Sequence, residues 1–162
     1  MTMSVRLTPR GTRGSGFGNL PPWARPILAF ASASMFRVTR GRMRVQGRPL
    51  LLLTTTGAKT GRRRSTTLGW FPDDDGPADA RLVVASAAGA AAHPAWYVNL
   101  ARRPEGAAIE VDGRRFAVTA ESLSGAERER GWARIVALAP AYGKYEQETD
   151  REIPVVRLTP RR

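Results

Sequence analysis

Residues 107–121, "AAIEVDGRRFAVTAE", carry the most regular β pattern in the chain. A turn dipeptide, Asp112-Gly113, separates two alternating runs, with Ile109 and Val111 before it and Phe116, Val118 and Ala120 after it. Asp-Gly favours the two-residue turns that join antiparallel strands, because both of its residues tolerate a positive φ. The stretch therefore predicts a β-hairpin.

Other β signals lie on both sides of this hairpin. They are "PLLLLTTT" (49–56), "STTLGWF" (65–71), "ARLVVASAA" (80–88) and "REIPVVRLTP" (151–160). Two helical segments interrupt them, at 93–104, with Pro94 at a plausible first helical position, and at 124–140, with the capping-box pair Ser124 and Glu127. Short, mostly antiparallel strands wrapped by a few helices predict a small barrel or curled sheet over residues 41–162.

The chain before this body divides into a tail and a helix. Residues 1–22 are rich in Gly, Pro and Arg without periodicity, which predicts a disordered basic tail. Residues 23–40 predict an amphipathic helix whose face carries Trp23, Ile27, Phe30, Ala31, Ser34 and Val38. Two interpretations remain open: the helix packs on the body, or it lies on an anionic membrane with its apolar face flanked by Arg25, Arg37, Arg40 and Arg42.

Composition limits the functions that the chain could have. It has 162 residues, a formal net charge of +12 and a pI of about 11.5, which together favour an anionic partner: nucleic acid, an acidic membrane, or a phosphate or carboxylate ligand. The absence of cysteine excludes disulfides, thiolate nucleophiles and iron–sulfur sites, and the single His93 argues against a histidine-rich metal centre. No signal peptide or membrane span is apparent, so we expect a cytoplasmic protein, and "DDD" at 73–75 indicates a solvated turn and no metal site.

The basic run "TTTGAKTGRRRSTTLGW" (54–70) lies between two predicted strands. Gly57 and Gly61 allow a tight turn around Lys59, and the backbone N–H groups of this turn could converge on an anion. The run is not a Walker A loop, since its lysine precedes the second glycine and a strand follows. It is either a phosphate or carboxylate site or a solvated basic tip, and strand alternation should place two of the arginines at 62–64 on one face.

Two aromatic segments could complete a binding site. "HPAWYVNL" places Trp96 and Asn99 three residues apart on a helix whose N-terminus carries partial positive charge. Tyr142 and Tyr145 are three apart in a segment interrupted by Pro140 and Gly143. In each segment the aromatic side chains are either pocket walls or ordinary core and rim residues.

Three stretches together resemble the deazaflavin-dependent nitroreductase and oxidoreductase family of actinobacteria. They are "LLLTTTGAKTGRRRSTTLGWF", "RLVVASAAGAAAHPAWYVNLARRP" and "AYGKYEQETDREIPVVRLTP", in the family's order and spacing over residues 48–160. The resemblance implies a split β-barrel of the FMN-binding type that binds coenzyme F-420, an 8-hydroxy-5-deazaflavin with a phosphate and an oligoglutamate tail. It implies a reductase that transfers hydride from the reduced coenzyme to a small acceptor such as a quinone, an enone or a nitroaromatic.

The same resemblance assigns expected roles to single residues. The loop 56–64 would hold the phosphate and tail through Thr56, Lys59, Thr60, Gly61, Arg62 and Arg64. Ala85 and Ser86 would lie along the ring, and the helix of Pro94, Trp96 and Asn99 would close over it. Tyr142 and Tyr145 would line the substrate pocket, and with Ser86 they are the candidate proton donors.

The chain departs from the family's nitroimidazole-reducing member at three positions. Gly69 and Ala139 stand where that member has tyrosines, and Ala87 stands where it has lysine. We expect these changes to enlarge the pocket and to disfavour reduction of bicyclic nitroimidazoles. A split barrel that binds or carries F-420, FMN, haem or a fatty acid without catalysis is the alternative, and a nucleic-acid module is disfavoured because aromatics do not interleave with the basic run.

Overall fold

The computed structural model describes residues 4–16, 21–45 and 47–162, apart from the side chains of residues 26 and 29. Its strands are β1 (Arg44–Val45), β2 (Arg48–Thr56), β3 (Arg63–Gly69), β4 (Phe71–Pro72), β5 (Arg81–Val84), β6 (Ala108–Val111), β7 (Arg114–Ser122) and β8 (Val155–Pro160). Its helices are α1 (Ala24–Val38), α2 (Ala95–Arg102), α3 (Gly125–Leu138) and α4 (Ala141–Glu148), with a 3₁₀ turn at Ala87–Gly89.

All the strand pairs of the described chain are antiparallel, in the order β1-β2-β6-β7-β8-β5-β4. Strand β3 also pairs with β2, on the edge opposite β6. The predicted hairpin is confirmed, because Val111 pairs with Arg114 across Asp112-Gly113, whose φ angles are 51° and 74°. Both turn residues therefore take the left-handed conformation of a type I′ turn. The result is a curled, split-barrel sheet flanked by helices.

The barrel core lies inside the curl of this sheet. Leu51 and Leu53 of β2, fully buried, point inward, and Tyr97 and Leu100 of α2 pack into the same cluster. A second cluster joins β5 and β8 to Trp132 and Ile135 of α3. The helix predicted at 124–140 is therefore confirmed as α3, and it packs on the sheet through these two side chains.

The predicted capping box of α3 is not formed. Ser124 is the N-terminal cap of the helix, but its side chain makes no capping hydrogen bond. The carboxylate of Glu127 instead accepts a hydrogen bond from Arg157 Nη2 at 2.6 Å. The contact with β8 has thus replaced the predicted hydrogen bond between Glu127 and the start of the helix. In α2, Pro94 is the N-terminal cap and not the first helical residue that the sequence predicted.

Helix α1 contacts the outer face of the β2–β3 pair through an unexpected side. Ala33 and Phe36 pack on Leu50 and Leu52. The helix therefore packs on the body, as one interpretation of the sequence held, but the apolar face that the sequence indicated is exposed, with Trp23 at 69% and Phe30 at 76%. No helix of the described residues is long and apolar enough to cross a bilayer.

The sequence predicted a disordered tail, but the part of this tail that the structure describes is bonded to the body. Val5 lies in the barrel core, and Gly11 N–H donates to the carbonyl of Ala91 at 2.9 Å. Thr12 and Arg13 N–H donate to Asp150 at 2.8 and 3.0 Å, and these bonds with the Thr12 hydroxyl lower the pKa of Asp150 to about 2. Backbone hydrogen bonds thus order residues 4–16 where apolar burial is scarce, while residues 1–3 and 17–20 lie outside the described residues.

A buried arginine joins the strands to α3. The Arg157 side chain is 6% exposed and pairs with Asp73, with Glu121 at 3.0 Å and with Glu127 at 2.6 Å, contacts that raise its pKa against the opposing effect of burial. Asp73 was predicted to lie in a solvated turn, yet its side chain is only 1% exposed. The acidic run is therefore an ion-pair anchor, and no acidic or histidine cluster suited to a metal occurs within the described ranges.

Arg157→Met should lower the free energy of unfolding by about 3–5 kcal/mol, because it leaves the buried carboxylate of Asp73 without its cation. Arg130→Met is the matched control, since Arg130 is 59% exposed in its pair with Asp75 and should contribute at most about 1 kcal/mol. Urea denaturation of both variants measures the difference. Equal losses would show that the Arg157 network is energetically ordinary.

Candidate functional site

The glycine-bracketed loop between β2 and β3 closes on itself. Gly57 N–H donates to the carbonyl of Arg62 and Gly61 N–H to that of Gly57, both at 2.8 Å. Gly61 has a φ of 69°, a conformation that side chains disfavour. These amides serve the turn itself, so the loop offers an anion mainly its side chains.

Asn99 fixes this loop to the barrel. Its Oδ1 accepts the N–H of Ala58 at 2.9 Å, and its Nδ2 donates to the Thr55 hydroxyl at 3.1 Å. Asn99 is 8% exposed and Thr55 is 1% exposed, so the bond between them is shielded from water, whereas the bond to Ala58 is partly buried. One amide thus sets the position of the loop relative to α2 and β2.

A first cavity of about 620 Å³ lies between the loop, β3 and the N-terminus of α2. It is lined by Arg25, Thr55, Gly57, Ala58, Lys59, Thr60, Arg64, Ser65, Thr66, Pro94, Ala95, Trp96, Val98, Asn99 and Arg102. This lining contains four cations and no carboxylate. Among the described residues, none of Arg25, Lys59, Arg64 and Arg102 belongs to an ion pair.

A second cavity of about 580 Å³ lies between α1, the 3₁₀ turn and α4. It is lined by Leu28, Ala31, Ser32, Met35, Phe36, Met43, Val45, Arg48, Leu50, Thr67, Gly69, Ser86, Ala88, Tyr142 and Tyr145. Apolar side chains from α1 form one wall, and hydroxyl groups with one guanidinium form the other. This chemistry suits a flat, partly polar molecule.

The two cavities follow one another along β3 beneath α1. Residues 64–66 line the first cavity, and Thr67 and Gly69 line the second. At about 3.3 Å per residue, Arg64 to Gly69 spans roughly 16 Å of strand. An elongated ligand with an anionic end and a flat end would match both cavities.

The segment that carries Ser86 is held by Arg151. Arg151 is 6% exposed. Its side chain donates to the carbonyls of Ala85, Ser86 and Ala90 at 3.1, 2.8 and 2.8 Å. Burial lowers the pKa of Arg151, and the carbonyls partly replace its lost water. The turn that follows Ser86 is tight, since Ala87 and Ala88 have φ angles of 45° and 51°.

Tyr142 is the most enclosed phenol of the second cavity. Phe71 and Tyr145 contact its ring edge to face at centroid distances of 5.8 and 5.7 Å, and the Arg48 guanidinium carbon lies 4.9 Å from its centroid. Burial raises the pKa of Tyr142, and Arg48 opposes this rise by its charge and a hydrogen bond. The phenol therefore stays protonated at neutral pH and can donate.

The structure brings most, but not all, of the predicted site residues to the cavities. Lys59, Thr60, Arg64, Pro94, Trp96 and Asn99 line the first, and Ser86, Tyr142 and Tyr145 line the second. Neither lining contains Thr56, Gly61, Arg62 or Ala85. Thr56 donates to the Glu105 carbonyl at 3.3 Å and Ala85 is fully buried in the core, so both serve the fold.

Only one arginine of the run 62–64 lines the first cavity. Arg64 does so, whereas Arg63 donates to the carbonyl of Gly106 and Arg62 precedes the strand. Sequence reasoning also missed Arg25, Arg102 and Arg48. Arg25 lies near the start of one predicted helix and Arg102 near the end of the other, but nothing local indicates that they converge on the loop.

The fold and the two cavities together define a ligand-binding split barrel. The cavities form a groove along β3, with the cationic first cavity at one end and the aromatic second cavity at the other. The sequence profile of the F420H(2)-dependent quinone reductase family matches residues 30–160. The chain is 40% identical over 136 residues to the F420H(2)-dependent quinone reductase Rv1261c of Mycobacterium tuberculosis H37Rv, covering 79% of this chain and 87% of that one.

Two further similarities agree with this match. A putative F420H(2)-dependent quinone reductase of the same organism, Rv3178, is 35% identical over 70% of this chain and 91% of its own. A solved F420-H2 dependent reductase, FDR-A, is 35% identical with a TM-score of 0.60, over 72% of this chain and 99% of that chain. The chain belongs to the F420H(2)-dependent quinone reductase family. It is an oxidoreductase whose cofactor is the deazaflavin F-420, as the sequence resemblance predicted.

His93 joins the segment 4–16 to Arg151. Its Nε2–H donates to the carbonyls of Thr8 and Pro9 at 2.8 and 3.2 Å, and its Nδ1 accepts from Arg151 at 3.2 Å. Burial lowers the pKa of His93, and the charge of Arg151 lowers it further, against the opposing Thr8 carbonyl. A proton on Nδ1 would face the guanidinium.

Because the pKa of His93 is lower in the folded state, its stabilising contribution is complete above about pH 6.5 and is lost as the pH falls through the folded value. We expect the free energy of unfolding to fall from pH 7.5 to 5.5, by less than about 1.4 kcal/mol per pH unit because the ring is only partly buried. Urea denaturation across this range measures the slope, which His93→Gln should flatten. An unchanged slope in His93→Gln would assign the effect to other groups.

Proposed function

We propose that the chain binds reduced F-420 along β3 and passes its hydride to a quinone held in the second cavity. The first cavity supports this proposal most directly, because its lining brings four cations and no carboxylate to one end of the groove. Lys59, Thr60 and Arg64 would hold the phosphate, and Arg25 and Arg102 would meet the oligoglutamate tail. Each charge-assisted hydrogen bond to a desolvated anion contributes about 1.5–3 kcal/mol.

The coenzyme supplies the hydride chemistry when bound, and the protein's own residues supply position and environment. Trp96 and the N-terminus of α2 close one side of the groove, and Asn99 holds the loop opposite them. Ser86 and Tyr142 would offer hydroxyl groups to the reacting end, with Tyr142 as the preferred proton donor and Tyr145 as a wall that selects acceptors. An enone or a nitroaromatic is the alternative acceptor.

The affinity for F-420 should fall about 10- to 100-fold in Lys59→Ala and in Arg64→Ala, while the melting temperature stays nearly constant, because both side chains are proposed to bond the ligand. Arg114→Ala, at the exposed hairpin turn, is the matched control for loss of one positive charge. Fluorescence titration with F-420 and with FMN at several salt concentrations measures the effect. F-420 should bind more tightly than FMN and weaken as salt rises, since exposed charges are screened.

Equal or tighter FMN binding that is insensitive to salt would contradict the proposal. Tight F-420 binding without reoxidation of the reduced coenzyme by any quinone, enone or nitroaromatic would indicate a carrier instead. The acceptor screen follows reoxidation in the same preparations, so binding and turnover are separated.

We also propose that α1 rests on an anionic membrane surface, which would keep the protein on the inner face of the cytoplasmic membrane. Trp23, Ile27 and Phe30 expose a continuous apolar strip at 69, 59 and 76%. Arginines at 25, 37, 40 and 42 border this strip and would meet anionic headgroups. The opposite side of α1 lines the second cavity, so a lipid-soluble acceptor would have a short path to it.

Flotation with phosphatidylglycerol vesicles tests this contact. The double variant Trp23→Ser, Phe30→Ser should bind at least about tenfold less tightly, because each buried aromatic contributes about 1.5–3 kcal/mol. Leu138→Ser, which replaces a 66% exposed side chain on α3, is the control and should bind like the parent chain. If both variants bind the vesicles equally, or if the double variant loses a dimer that the parent chain forms, this face of α1 does not contact the membrane. A second copy of the chain would then be the favoured partner of this face.

A further inference from the structure

Arg48 is the one charged side chain among the residues that line the second cavity in the described part of the chain. It opens β2, and its guanidinium carbon lies 4.9 Å from the centroid of Tyr142 and 5.5 Å from that of Phe71. Contact with both rings keeps the guanidinium beside the phenol. A charged donor and a neutral O–H donor thus share one wall.

Gly69 creates the space that Arg48 uses. A Cβ built at Gly69 would lie 4.0 Å from Cβ, Nε and Nη1 of Arg48. Any larger side chain at this position would extend toward the guanidinium. That a glycine here enlarges the cavity stays a prediction, and Arg48, which lies beside the glycine, makes this part of the wall cationic.

We propose that Arg48 is an oxyanion-binding catalytic residue that selects acceptors with a carbonyl oxygen. This inference rests on the proposed quinone reductase function. When a quinone takes one hydride, the ring gains two electrons and one hydrogen, and one oxygen becomes a phenolate. Arg48 stabilises that negative charge, and one proton, from Tyr142 or from water, completes the hydroquinone.

The stabilisation is selective because the charge is absent from the neutral quinone. An interaction that strengthens only as charge develops raises kcat and leaves KM little changed. A solvent-exposed arginine would provide much less, since water competes for the oxyanion. The side-chain nitrogens Nε and Nη1 of Arg48 have almost no accessible surface, so a contact with the acceptor's oxyanion would be made through Nη2.

Two naphthoquinones separate charge recognition from general cavity binding without any coenzyme. Lawsone is an oxyanion at neutral pH, and menadione is a neutral molecule of nearly the same shape. Tryptophan fluorescence quenching measures the affinity of the coenzyme-free protein for each. Arg48→Gln should weaken lawsone binding about 10- to 100-fold and menadione binding less than about threefold, whereas Arg48→Lys should retain part of the lawsone affinity.

Arg44→Gln is the matched control, because Arg44 is an exposed cation of the neighbouring strand β1 that does not line this cavity. It should bind both naphthoquinones like the parent chain. In turnover with menadione and reduced F-420, Arg48→Gln should lose kcat about 10- to 100-fold with little change in KM. Melting temperature and F-420 affinity, both measured for each variant, show whether the fold and the first cavity are intact.

Equal losses for lawsone and menadione in Arg48→Gln, or an unchanged kcat, would overturn the assignment of Arg48. The proposed function would survive that result if the parent chain still binds F-420 and reduces menadione. Failure of the parent chain to do either would reject the proposed function, while the lawsone preference would still report on Arg48. The two failures are therefore distinguishable.

Discussion

The buried guanidinium of Arg151 holds together the side of the molecule on which the second cavity depends. It replaces its hydration by donating to backbone carbonyls at 85, 86 and 90 and to the ring of His93. Two alanines in left-handed conformation follow Ser86, which is a costly backbone that needs such support. Through His93 the same cation positions the segment 4–16, so the N-terminus, the Ser86 turn and the end of α4 form one unit.

Asn99 plays the corresponding part for the first cavity, with a neutral amide in place of a charge. It ties Ala58 of the loop to Thr55 of β2, and a truncated side chain would leave a buried N–H without its acceptor. The loop and the Ser86 turn are therefore fixed independently, one at each end of β3. This division lets the anionic end and the reacting end of a long ligand be recognised by separate contacts.

The sequence predicted what local chemistry determines and missed what distant contacts determine. The hairpin follows from Asp112-Gly113, and the loop follows from two glycines around Lys59, so both were readable. The face of α1 was not, because periodicity cannot say that Phe36 will meet Leu52 while Trp23 stays exposed. Arg48 carries no local signal, since its position beside Tyr142 depends on packing between residues 94 positions apart.

The arginines show why net charge alone could not identify the site. Arg157 is surrounded by Asp73, Glu121 and Glu127, and Arg151 by carbonyl oxygens, so both of these cations serve the fold. The first cavity instead gathers Arg25, Lys59, Arg64 and Arg102 without a carboxylate. The electric fields of nearby charges add when no opposite charge neutralises them. The attraction for an anion is therefore strongest at that end of the groove. The distribution of the carboxylates, more than the number of arginines, therefore decides where the described chain can attract an anion.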